Sequence, residues 1–112
     1  MGRWAQAKRR GAAGMKSPPL VPPPTPALSI IDGYLRQTAA GGDDTGGKVH
    51  LFRAAGEGGP FLSYGVGDWA LVYPWGQEET LSGWWYTASE EGNNTVYAGL
   101  SEQCAPFLVG EP

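Results

Sequence analysis

From Leu28 onward, apolar side chains come in short bursts separated by Gly, Asp, Asn and Pro. No window carries a convincing apolar period of 3.6, so the pattern argues against amphipathic helices. Short bursts bounded by turn residues read as strands. The first spans 28–38, interrupted at Asp32-Gly33, and the next two span 48–54 and 60–64. A fourth, 68–73, alternates Trp69, Leu71 and Tyr73 against Ala70 and Val72. The last three span 83–88, 94–99 and 105–109. The intervening 40–47, 56–59, 65–67, 74–82 and 90–93 have turn or loop chemistry. About seven short strands at this spacing predict an all-β unit, a small Ig-like β-sandwich or a barrel.

The chain before Leu28 has a different character. The run Ser17-Pro18-Pro19-Leu20-Val21-Pro22-Pro23-Pro24-Thr25-Pro26 cannot join a helix or a sheet interior, because proline fixes φ and lacks an amide donor. It predicts an extended strut rising about 3.1 Å per residue. Such a strut is either a spacer or a ligand for a partner's groove. The expected division is an arm over 1–28 and a compact module over 29–112.

Charge sharpens that division. Residues 1–28 hold Arg3, Lys8, Arg9, Arg10 and Lys16 with no acid, a net +5. Residues 29–112 set three cations against eleven acids, a net −8. The formal total of −3 hides two strongly opposed halves. Five cations could give only weak, salt-sensitive contact with nucleic acid, and the acidic module would repel the same phosphates. An acidic protein surface is the expected partner of the arm. The basic N-terminus is followed by prolines instead of an apolar stretch, so no cleaved leader is expected. No apolar run approaches the roughly 20 residues that a membrane helix needs.

Candidate chemistry is sparse. One cysteine, Cys104, permits no intrachain disulfide, which suggests a reducing compartment or support from partners. Cys104 reads as a small buried hydrophobe, since nothing places the single histidine, His50, beside it. One His and one Cys cannot build a zinc site. Gly41-Gly42 and Gly46-Gly47 lack the lysine of a phosphate loop. Ser63, His50 and Asp68 supply the residue types of a hydrolase triad, but no spacing links them. Asp43-Asp44, Glu78-Glu79 and Glu90-Glu91 each read as a solvated turn. Gly92-Asn93-Asn94 reads as a hairpin turn, although Asn93-Asn94-Thr95 also matches a glycosylation sequon. No catalytic residue, cofactor, metal or small-molecule substrate is expected.

The aromatics concentrate differently. Trp69, Trp75, Trp84 and Trp85 fall close together, with Tyr64, Tyr73, Tyr86 and Tyr97 around them. In a regular strand over 83–88, Trp84 and Tyr86 share one face and Trp85 takes the other. One face fills the core. The other packs within the chain or meets a partner.

Basic leader, proline-rich arm and compact β-module together resemble small structural proteins of tailed bacteriophage virions. The residues carrying the resemblance are Gly2-Arg3-Trp4-Ala5-Gln6-Ala7-Lys8-Arg9-Arg10-Gly11, the proline run, Gly83-Trp84-Trp85-Tyr86 and Asn94-Thr95-Val96-Tyr97-Ala98-Gly99. The resemblance implies a non-enzymatic virion protein, made in the host cytoplasm, that decorates or cements a capsid or sits at the neck or tail. Its partners would be the major capsid protein or other virion proteins, with self-association as a second contact. The candidate contact residues are Arg3, Trp4, Lys8, Arg9, Arg10, Pro22, Pro23, Pro24, Trp75 and Trp85. Two other modules fit the aromatics. Leu62-Ser63-Tyr64-Gly65-Val66-Gly67-Asp68-Trp69 with Gly83-Trp84-Trp85-Tyr86 is similar to an SH3-like barrel, and clustered tryptophans could form the sugar-stacking platform of a carbohydrate-binding module.

Overall fold

The computed structural model describes residues 19–42 and 44–110. They are mostly β, in two antiparallel sheets with one short helix. The first sheet is β1 (Ala27–Ile31), β2 (Tyr34–Thr38) and β5 (Val72–Gln77), in that order. The second runs β4 (Leu62–Asp68), β3 (Gly46–Ala54), β6 (Trp85–Asn93), β7 (Ala98–Leu100). A short β8 (Phe107–Leu108) pairs with the start of β6, opposite Trp85 and Tyr86. The chain passes between sheets after β2, after β4 and again after β5, where α1 (Glu78–Leu81) makes the link.

The break at Asp32-Gly33 is a tight hairpin. Asp32 has φ 53° and Gly33 φ 80°, the two left-handed residues that a type I′ turn needs. Two strands therefore stand where one interrupted strand was expected. The core lies between the sheets and draws on both. Leu28 and Leu35 come from the first, Leu51, Tyr86 and Ala88 from the second, with Leu81 and Val109 closing one end. The Tyr86 hydroxyl donates to the Leu81 carbonyl at 2.9 Å, so the buried phenol is satisfied.

Two corrections concern glycine and the loop after it. Gly65-Val66-Gly67, expected as a turn, is the middle of β4. A Cβ on Gly67 would overlap the Tyr73 ring, and one on Gly65 would sit 3.1 Å from the Trp75 ring. The bare backbone lets two rings of β5 approach β4 closely. The expected loop over 74–82 is the rest of β5 followed by α1. Pro74 fits there because β5 is the edge of its sheet. The strand expected over 68–73 dissolves accordingly, its residues divided between β4, a link and β5.

A buried polar chain joins the layers. Trp75 Nε1 donates to Gln37 Oε1 at 2.9 Å, and Gln37 Nε2 donates to the Ser89 carbonyl at 3.0 Å. Gln37 is fully buried. One side chain on β2 thus fastens β5 beside it and β6 across the core.

Residues 19–26 touch the body. Val21 forms a parallel bridge with Tyr97, with Val21 N donating to Val96 O at 3.2 Å and Ala98 N to Val21 O at 2.9 Å. Pro23 and Pro26 are buried, while Pro22 and Pro24 are exposed. Val21, expected in the arm, thus touches the module, and Leu28, the expected last residue of the arm, lies in β1 and the core. Residues 1–18 of the expected arm lie outside the described residues.

Candidate protein-docking site

The end of β3 carries Arg53, paired across to Leu62 of β4 and, on its other side, to Tyr86 of β6. The β3–β4 register shifts between Leu51 and Phe52, so Tyr64 is the extra residue of a bulge. The bulge brings Tyr64 edge-on to Tyr86, centroids 6.0 Å apart at 86°. The Arg53 guanidinium lies 4.6 Å from the Tyr64 ring and 4.0 Å from the Trp84 ring. Trp84 is held by the C-terminal segment, which receives a bond from Gly83 N to Val109 O at 2.7 Å and returns one from Val109 N to Trp84 O at 3.1 Å.

The result is a cation clasped between two aromatic rings at the surface. Leu62 is 68% exposed, Tyr64 42% and Trp84 37%. No acidic side chain among the described residues comes within 4.0 Å of Arg53. Burial pushes the Tyr86 hydroxyl pKa up, and the neighbouring Arg53 opposes that push. Tyr86 stays a neutral phenol, so the Arg53 charge stays uncompensated beneath two half-open rings.

The sequence-expected contact residues fall elsewhere. Arg3, Trp4, Lys8, Arg9 and Arg10 lie outside the described residues. Trp75 is half-buried, tilted at 59° against Tyr73 with centroids 4.6 Å apart, and packed against the core. Trp85 is half-buried, opposite Ala54 and Leu108. Trp84 was expected beside Tyr86 on one strand face, but the strand starts at Trp85. Gly83, at φ 89°, turns the chain just before Trp84. That glycine was the available signal. Arg53 carried none, since only the fold brings it to two rings distant in sequence.

The remaining polar clusters are accounted for locally. Lys48 and Asp68 form an exposed pair at 2.8 Å, which raises the lysine pKa and lowers the aspartate's through their shared hydrogen bond. His50 contacts Glu91 at 3.0 Å. Ser63 stands opposite Phe52, so Ser63, His50 and Asp68 are not assembled. Ser89 faces His50 across the strand pair, but its hydroxyl has no hydrogen-bond partner among the described residues. Cys104 is half-buried beside the core, and burial raises its thiol pKa. Asn94 forms the β6–β7 turn: Oδ1 accepts from Val96 N at 2.8 Å and Tyr97 N at 2.7 Å, and Nδ2 donates to Asp44 O at 2.7 Å. Among the described residues no three His, Cys, Asp or Glu side chains gather as metal ligands, and no helix is long and apolar enough to cross a membrane.

No family model, curated protein or solved structure matches this chain.

Proposed function

We propose that this chain is a non-enzymatic assembly protein whose β-unit docks on a protein surface through the Leu62, Tyr64, Arg53 and Trp84 patch, helped by its basic N-terminal leader. The observation that carries this reading is the exposed stack of Tyr64, Arg53 and Trp84 beside a nearly bare leucine. Trp, Tyr and Arg are the residue types that dominate binding energy at protein interfaces, clustered around a desolvated centre. The guanidinium offers the partner a carboxylate contact framed by apolar surface, which strengthens on desolvation. A sugar platform is less well served, because Arg53 fills the facing sides of both rings.

The particle setting extends the resemblance to tailed-phage structural proteins: the partner is then a capsid, neck or tail subunit. Repetition around a symmetric particle multiplies a modest contact into firm attachment. A sandwich is the finer architectural reading, supported by a core held between two sheets. The test is electron microscopy of whatever the intact protein is recovered with from its native source. The module should sit at subunit junctions of a symmetric particle, with Trp84 and Leu62 at the contact. Recovery as a lone soluble chain overturns the reading.

A further inference from the structure

We infer that two copies of this chain join edge to edge through β1, each pairing its β1 antiparallel with the other's about a two-fold axis at Ser29. This goes beyond the docking patch and does not rest on it, because it uses the other sheet and a second copy in place of a foreign partner. β1 ends the order β1-β2-β5, and its register with β2 runs unbroken from Ala27 opposite Thr38 to Ile31 opposite Tyr34. The two-residue turn at Asp32-Gly33 makes Ile31 and Tyr34 a hydrogen-bonded pair. Strand alternation then turns the N–H and C=O of Ser29 and Ala27 towards β2 as well, and those of Leu28 and Ile30 away from it. The far side of β2 agrees: Ala39 N donates to Leu71 O, so the odd-numbered residues of that strand face β5. On the open side, Leu28 and Ile30 find no backbone partner among the described residues.

Three observations select a second copy as the occupant. First, the open edge is self-complementary. Turning one copy over about Ser29 sets Leu28 of each opposite Ile30 of the other. These are the residues whose groups face outward, so four backbone bonds form across an isologous seam. Ala27 of each copy then meets Ile31 of the other on the outer face, where Ile31 is 39% exposed. Second, charge permits the approach. The strands of this sheet, 27–31, 34–38 and 72–77, hold one charged side chain, Arg36, which lies over the Tyr34 ring, and no acid. The second sheet carries Asp68, Glu90 and Glu91. Two copies therefore meet along the sheet free of the acids that would drive them apart, and the antiparallel arrangement puts the two Asp32 turns at opposite ends of the seam. Third, the other edges are blunted. β4 has the bulge at Tyr64 and ends in the Lys48–Asp68 pair, β5 has Pro74, and β7 and β8 are three and two residues long. Such devices keep sheet edges from pairing. β1, Ala-Leu-Ser-Ile-Ile, has no proline, charge or bulge. A seam this short makes a weak dimer that forms at high concentration.

The test uses full-length chains carrying Cys104→Ala, so that each variant has one thiol. Ser29 is the residue that meets its own counterpart, in a non-hydrogen-bonded pair with Cα atoms about 4.5 Å apart, within the span of a disulfide. Ser29→Cys should therefore oxidise by itself to a covalent dimer. Ala27→Cys and Ile31→Cys, although at more exposed positions, should each do so poorly alone and should cross-link readily when mixed. By sedimentation, the unmodified chain should associate to a dimer with rising concentration. Ser29→Lys sets two like charges face to face and should weaken that dimer about fivefold or more, with urea unfolding of the dilute chain unchanged. Trp84→Ala should leave the dimer intact, so this inference and the docking patch fail separately. Ser29→Cys that cross-links no faster than Ile31→Cys overturns the pairing. A chain monomeric at every concentration, or a dimer that Ser29→Lys does not weaken, overturns it too. Should Ser29→Lys fail to fold, the near-isosteric cysteine variant decides alone.

Discussion

Glu90 sits on β6 opposite Val49, 1% exposed, with neither carboxyl oxygen hydrogen-bonded among the described residues. Its backbone is well served, since Glu90 N donates to Ser101 Oγ and Ser101 N donates to Glu90 O. The side chain is carried inward as a consequence of that pairing. Burial pushes its pKa from 4.5 to about 7. Below pH 4.5 the folded and unfolded chains both hold the proton. Between 4.5 and 7 the unfolded chain releases it and the folded chain keeps it, so stability falls as pH rises. Above 7 the loss is complete and constant. At 1.36 kcal/mol per pH unit, that window costs about 3 kcal/mol. Glu90→Gln mimics the protonated side chain at every pH. Urea unfolding followed by tryptophan fluorescence should find the two proteins nearly equal at pH 4. The variant should be more stable by about 3 kcal/mol at pH 8. Taking the difference removes the other carboxylates, including Asp68, whose lowered pKa acts in the opposite direction at lower pH. A gap between the two proteins that does not change from pH 4 to pH 8 would refute the reasoning.

Other substitutions probe the rest of the molecule. Gln37→Leu strands the Trp75 indole N–H and the Ser89 carbonyl in the core, and chemical denaturation should show a loss of about 2–4 kcal/mol. Gly67→Ala drives a methyl into the Tyr73 ring; it should destabilise by about 1–3 kcal/mol, with Gly65→Ala milder. Asn94→Ala removes two hydrogen bonds within the β6–β7 turn and one that ties it to Asp44, and hydrogen exchange should show faster opening at Val96 and Ala98. Trp84→Ala should barely change stability, yet weaken attachment to a partner by a factor of ten or more, on the order expected for an interface anchor.

The β class was legible because turn chemistry and short apolar bursts are local signals. Asp32-Gly33 marked an interruption for the same reason, since only certain residues tolerate its dihedrals, but not that the chain reverses there. Gly65 and Gly67 misled because glycine has two uses. Here the reason for it is a ring on the opposite sheet, which no local pattern reveals. Glu90-Glu91-Gly92 read as a solvated turn, but β6 runs through it to Asn93 and Glu90 is enclosed. A charged residue at a buried position breaks the rule that such readings depend on. The docking patch was hidden for a third reason. Arg53, Tyr64 and Trp84 come from two strands and a linker, and only the bulge at Tyr64 and the turn at Gly83 set them face to face.

The Gln37 amide has a mechanical consequence. Two layers held by greasy contact alone can slip past one another, since one aliphatic neighbour serves about as well as the next. An amide bonded at one end to an indole and at the other to a main-chain carbonyl admits a single alignment. Shear between the layers must break the bond to Ser89, on an amide whose other end the indole holds in place, before any sliding begins. Whatever pulls on one layer is therefore felt by the other, and load entering through the tryptophan patch is shared by the whole unit.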